Sequence, residues 1–168
     1  IVVKKMKEGP KQGDNSNSQY AMLGLRACAD AGVVLPRDVL QLARKSWAET
    51  QHPAAGEDKN AVATGGIAAG PPRGWCYSRP DVCAKEHRPY GSMSAGALGA
   101  LAILHYPLDS DVKLDPVARG GVAWLSANWT VTEHPGPQEF DVSPKEEYYY
   151  YLYALERLGM LMGIEKIG

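Results

Sequence analysis

Ser92-Met93-Ser94-Ala95-Gly96-Ala97-Leu98-Gly99-Ala100-Leu101-Ala102-Ile103-Leu104 contains no charged side chain. The stretch reads as a helix, and a helix apolar around its whole circumference must be enclosed by other elements. Its neighbours differ in kind. Pro36 suits a first helical position, and Val39, Leu42, Ala43, Ser46 and Trp47 make a stripe opposite Arg37, Asp38, Gln41, Arg44, Lys45 and Glu49. This predicts an amphipathic helix over 36–51. Asp115-Pro116 supplies a capping carboxylate and a first-turn proline for a helix over 116–128 carrying Val117, Val122, Trp124 and Leu125.

Two further segments repeat the enclosed pattern. Ser16 and Gln19 have capping-box spacing, and Ala21, Met22, Leu23, Leu25, Ala27 and Cys28 then cover nearly every side until Gly32, predicting a buried helix over 17–31. Ser143-Pro144-Lys145-Glu146 opens a helix over 144–162 that carries Tyr148 to Tyr151, Leu152, Leu155, Leu158 and Leu161 and ends near Gly163. Between His52 and Pro89 no period is sustained. The breaks at Gly65-Gly66, Gly70-Pro71-Pro72 and Arg79-Pro80 predict a long irregular loop over 52–90, with Gly74-Trp75-Cys76-Tyr77 as a short strand within it. Residues 1–13 read as a lead-in strand or loop.

At roughly 150 residues per domain, the 168 residues form a single domain. Hydrophobic residues at 45% and charged ones at 22% are the composition of a globular chain with a real core. A net charge of -1, with no basic block longer than Lys4-Lys5, argues against nucleic acid as a partner. The longest apolar run, Ala95 to Leu104, is too short and too rich in Gly and Ala to cross a bilayer. The opening Ile1-Val2-Val3-Lys4-Lys5 has no charged region ahead of an apolar one, so no targeting peptide is expected within the chain. Cytoplasmic and exported settings both stay open.

Helices enclosed on all sides alternate here with helices covered on one side, as two concentric helical layers require. Leu25, Leu98 and Leu155 bring the three enclosed segments into a loose register, and Gly24, Gly96 and Gly99 permit close approach of their axes. The expected fold is therefore all-α, with an inner and an outer layer of helices.

Arg119-Gly120-Gly121-Val122-Ala123-Trp124-Leu125 resembles the opening of the QW repeat of squalene and hopene cyclases, although Trp129 stands where that repeat places Gln. The complementary half appears elsewhere, as Trp47, then Gln51, then Gly74-Trp75. Together with Asp14-Asn15-Ser16-Asn17-Ser18-Gln19-Tyr20 and Tyr150-Tyr151-Leu152-Tyr153-Ala154-Leu155-Glu156-Arg157-Leu158-Gly159, the chain from about 14 to 168 resembles bacterial proteins with prenyltransferase and squalene-oxidase repeats. The resemblance implies an α/α toroid of six helix pairs. About five main helices would then be an incomplete ring, a fragment whose apolar flanks a partner chain or self-association would cover.

In such toroids the N-termini of inner helices point toward the cavity. That makes Asp14, Asn17, Gln19 and Tyr20, together with Ser92, Ser94, Tyr149 and Tyr150, the candidate ligand contacts. The cyclases protonate substrate with an Asp-rich motif, which this sequence lacks. Asp14-Asn15-Ser16-Asn17 offers one carboxylate, placed where an Asx turn and helix cap are expected. Asp81-Val82-Cys83 with His87 imitates the zinc site of prenyltransferase β-subunits but sits in a loop. Cys76, Cys83 and His87 would make three zinc ligands without an evident fourth; a Cys76–Cys83 disulfide and unpaired thiols are the other readings. His105 and His134 read as single histidines near helix ends or in loops. The expected function is a binding or scaffold module for a hydrophobic or small-molecule ligand or a protein partner, with no required cofactor. A fragment of an isoprenoid cyclase or prenyltransferase is the alternative, and a polysaccharide-binding or lyase role rests on fold analogy alone.

Overall fold

All fifteen residues of the uncharged helix, Gly91–His105, are buried. Leu98, Leu101 and Leu104 are fully enclosed, each contributing roughly 1.5–3 kcal/mol by leaving water. The enclosure needs four neighbours. The computed structural model describes residues 13–53, 67, 70–78, 88–136, 147–164 and 166–167. Among these the chain is all-helical: α1 (Asn15–Asp30), α2 (Arg37–Thr50), α3 (Gly91–His105), α4 (Pro116–Ala127) and α5 (Tyr148–Met162), with a 3-10 turn at Val112–Leu114. α3 packs against each of the other four.

Side-chain contacts fix the directions. Gln19 of α1, Gly96 of α3 and Tyr150 of α5 meet near the three N-termini. Further along, Gly99 of α3 faces Leu161 of α5, and Arg26 of α1 lies over the ring of Tyr106 just past the end of α3. α1, α3 and α5 therefore run parallel. α4 runs the other way, since its cap Asp115 meets His105 at the C-terminal end of α3 while Gly121 lies against Leu98. α2 runs with α4, from Arg44 beside Asp115 to Gln51 beside Val117. Three parallel helices thus face one side and two antiparallel ones back them.

The predicted boundaries of α3 and α4 hold, with Asp115 capping Val117 N–H and Pro116 in the first turn. Pro36 is the residue before α2 rather than its first. α1 and α5 end at Gly32 and Gly163, both with positive φ. The cap of α1 is Asp14 rather than Ser16. Three expectations are corrected. α1 is not enclosed: it buries only Asn15, Gln19 and Met22, and its Arg26–Asp30 pair at 2.9 Å keeps one face in water. α5 buries only Tyr151, Ala154, Leu158 and Met162, whereas α4, expected to be covered on one side, buries six residues. The stripe of α2 is rotated. Leu40, Trp47 and Thr50 are buried, while Val39 and Leu42 face solvent, because Arg44 on the inward side turns to Asp115.

Gly74-Trp75-Cys76-Tyr77 forms no strand. The 70–78 segment is irregular and bends at 77–78, held by His52 N–H on Gly74 O, Arg73 N–H on Gly120 O and Tyr90 N–H on Trp75 O. The two half-repeats of the sequence converge on this segment. Trp75 is fully buried and its indole donates to Trp47 O at 2.9 Å. Gln51 donates to both Arg73 O and Val117 O at 2.9 Å. Gly121 is small of necessity, since a Cβ there would lie 2.7 Å from Trp75. The start of α5 at Ser143-Pro144 and the 1–12 lead-in lie outside the described residues.

At the opposite end of the helix row, Asp115 binds three elements together. Its carboxylate accepts from Arg44 Nε and a terminal Arg44 nitrogen, both at 2.8 Å, and from Val117 N–H at 2.9 Å. His105 Nε2 lies 2.7 Å away. Burial alone would raise the Asp115 pKa, but the hydrogen bonds from His105, Arg44 and Val117 outweigh it and hold the group at about 2.

Candidate functional site

The N-terminal ends of α1, α3 and α5 gather polar and aromatic groups above an apolar groove. Leu23 of α1, five α3 residues from Ala95 to Ile103, and Ala154, Arg157 and Leu161 of α5 line that groove, a shallow depression open to solvent whose cavity volume is about 10 Å³. Its floor is shallow-walled because Gly96 and Gly99 lack side chains. A Cβ on Gly96 would collide with the Gln19 amide, so this glycine makes room for that amide against α3. Gln19 closes the upper end, donating to the Tyr150 hydroxyl at 3.2 Å. Ser16 Oγ lies 3.4 Å from the same hydroxyl, and the Tyr20 and Tyr150 rings stack with centroids 6.5 Å apart. Burial raises the Tyr150 pKa.

Of the candidate contacts, the structure brings Gln19, Tyr20 and Tyr150 together. Asp14 and Asn17 adjoin them, but both Asp14 oxygens are engaged at 2.7 Å by Asn17 N–H and Asn17 Nδ2. Ser92 and Ser94 are fully enclosed in the core and do not face the groove. Ser94 Oγ accepts from Trp75 N–H at 3.1 Å, which ties the 70–78 segment to α3. Tyr149 is 76% exposed and points away. Of its neighbours, Tyr151 is buried and donates to Thr130 O at 3.0 Å, and Tyr148 donates to Val131 O at 2.6 Å. Four consecutive tyrosines at 100° per residue face four directions, and here only Tyr150 meets Gln19 at the end of the groove, while Tyr153, beyond the run, lines the groove itself.

Sequence reading missed the role of His134. Its Nε2 accepts from Ser92 N–H at 3.0 Å, and its ring sits edge-on between Tyr90 and Tyr151 at 5.5 Å from each. A nitrogen that accepts from a buried helix N-terminus must be unprotonated. Burial accordingly lowers its pKa to about 4. Burial also raises the pKa of the adjacent Glu147, and burial followed by Glu147 raises that of Tyr90. His134 is thus an uncharged acceptor at the N-terminus of α3. Its only signal in the sequence was one histidine in a loop, with nothing to indicate its partner.

Cys76 is disulfide-bonded and Cys28 is a free, exposed thiol. The disulfide removes Cys76 from the proposed zinc set, and Asp81, Cys83 and His87 lie outside the described residues. Among the described residues no cluster of three His, Cys, Asp or Glu side chains is arranged to hold a metal, and no helix is long and apolar enough to cross a membrane. Compared with known proteins, the chain matches no family model, no curated sequence and no solved structure.

Proposed function

We propose that the chain is a binding or scaffold module built like the α/α toroids of terpenoid cyclases and prenyltransferases, with its ligand seated in the groove between α1 and α5. The observation that carries this reading is the groove itself, apolar along Leu23, Gly99, Ile103 and Leu161 and closed at one end by the Gln19–Tyr150 hydrogen bond. Such a site suits a small apolar molecule with one hydrogen-bonding end. Asp14 supports binding over proton-driven cyclisation, since its oxygens satisfy a helix cap. Three parallel helices backed by two antiparallel ones fit an arc of such a ring. The exposed flanks of α1 and α5 are the surfaces that a partner chain or a second copy would cover.

The alternative, part of an isoprenoid cyclase or transferase, draws on the joining of the two half-repeats through Trp47, Gln51, Trp75 and Gly121. Titration with farnesol separates the readings. The binding module predicts saturable binding that Gly99→Leu, which fills the groove, weakens at least tenfold while the circular dichroism spectrum stays unchanged. Binding indifferent to this variant, or none, would contradict the proposal. Turnover of farnesyl diphosphate would favour the alternative.

A further inference from the structure

We propose that Ser110 is an activated nucleophile toward small esters, with His105 as its general base and Asp115 orienting the imidazole. Ser110 Oγ lies 2.8 Å from His105 Nδ1, and His105 Nε2 lies 2.7 Å from Asp115 Oδ2. The site is at the C-terminal end of α3, apart from the groove, and does not depend on what the groove binds.

Asp115 sets the tautomer. An ionised carboxylate only accepts hydrogen bonds, so Nε2 carries a proton, and in the neutral imidazole the Nδ1 lone pair faces Ser110. The Asp115 side chain is wholly enclosed, and Arg44 and Val117 N–H fix its plane, so the imidazole is fixed in turn. Capping α4 and pairing with Arg44 do not require a hydroxyl on the far side of the ring. Ser110 is nevertheless placed there, with a longer contact of 3.5 Å from Oγ to His105 O and its own N–H on His105 O at 3.2 Å. The preceding residue, Asp109, has φ 53°, a left-handed conformation that turns the chain back toward the helix end. Ser110 is solvent-exposed whereas His105 is buried, so the hydroxyl stands at the boundary where a substrate can reach it.

The two ring nitrogens have exchanged places relative to the usual serine triad, but either imidazole nitrogen can act as base. Oγ bonds to the ester carbonyl carbon as its proton passes to His105 Nδ1. The carbon–oxygen bond to the leaving alcohol breaks, and Nδ1 returns the proton to that alcohol. Water then attacks the acyl carbon, giving one proton to Nδ1, which restores the serine hydroxyl and releases the carboxylic acid. The next backbone N–H, that of Asp111, has no acceptor among the described residues and is the nearest donor in sequence to the developing oxyanion. The open position of Ser110 suits small, activated esters.

A fluorophosphonate probe tests the assignment, since attack by Oγ forms a stable Ser–phosphorus bond and expels fluoride, which leaves with the transferred proton as hydrogen fluoride. Intact mass and peptide mapping of the full chain should place one adduct on Ser110, absent from Ser110→Ala. Labelling should be at least about a hundredfold slower in His105→Gln, the share a general base contributes. Exposed Ser46 of α2 provides an internal reference that does not depend on any variant folding. Labelling of Ser110 no faster than Ser46, or undiminished in folded His105→Gln, would overturn the proposal.

Discussion

α3 and α1 open alike, with hydroxyl-bearing first turns that run into small and aliphatic residues, yet α3 buries every residue and α1 only three. The difference lies in what each helix leaves for water. α3 carries no charge before His105, while α1 carries Arg26 and Asp30, which pair on its outer face. Neighbours matter equally, since α3 has α1 and α5 on its two flanks and α2 and α4 behind it. Small residues permit enclosure without demanding it. A helix is enclosed when it has no side chain to solvate and elements are present to cover every side.

The contrast is sharpest in core deletions. Leu98→Ala should cost about 4 kcal/mol, the transfer free energy plus the cavity left in a close-packed site. Leu25→Ala on half-buried α1 should cost about 1 kcal/mol. Urea unfolding of the two variants measures both, and equal losses would break the distinction between the helices.

Acid should act next through the buried N-terminus of α3. His134 takes up a proton at about pH 4 in the folded chain against 6.5 for a free histidine. Stability is therefore full above pH 6.5 and falls as pH drops through that window, by up to about 3 kcal/mol at 1.36 kcal/mol per unit. Asp115 acts lower. With its pKa near 2 against 3.8, its contribution is lost between about pH 4 and 2. Unfolding midpoints measured from pH 7 to 4.5 should fall steadily, and a flat profile would mean that His134 is not buried neutral.

Gln51→Ala removes donors from two carbonyls, those of Arg73 and Val117, and should cost about 2 kcal/mol by thermal or urea melts. At the small end, Leu42→Ser on the outward face of α2 should change stability by no more than about 0.5 kcal/mol. A larger loss there would show that α2 packs on the face the sequence stripe indicated.

What was legible in the sequence was local. The uncharged α3, the Asp115-Pro116 start of α4 and the glycine stops of α1 and α5 depend on neighbours along the chain. The register of α2 depended on a distant group, because Arg44 faces inward only where Asp115 waits for it, and Leu40 follows. In the candidate site, Gln19, Tyr20 and Tyr150 were readable as first-turn residues of helices meeting at one end. Ser92 and Ser94 sit in equivalent first turns, but α3 is covered where α1 and α5 are open. His134 on Ser92 N–H and His105 between Ser110 and Asp115 are pairings that no periodicity encodes.

Hydrogen–deuterium exchange resolved by helix tests the enclosure of α3 most directly. Amides in Gly91–His105 should exchange only when the whole molecule unfolds, with protection equal to the global stability, whereas those of Asn15–Asp30 should exchange faster through local opening. Exchange of α3 at the rate of α1 would show that the uncharged helix does not stand at the centre of the fold.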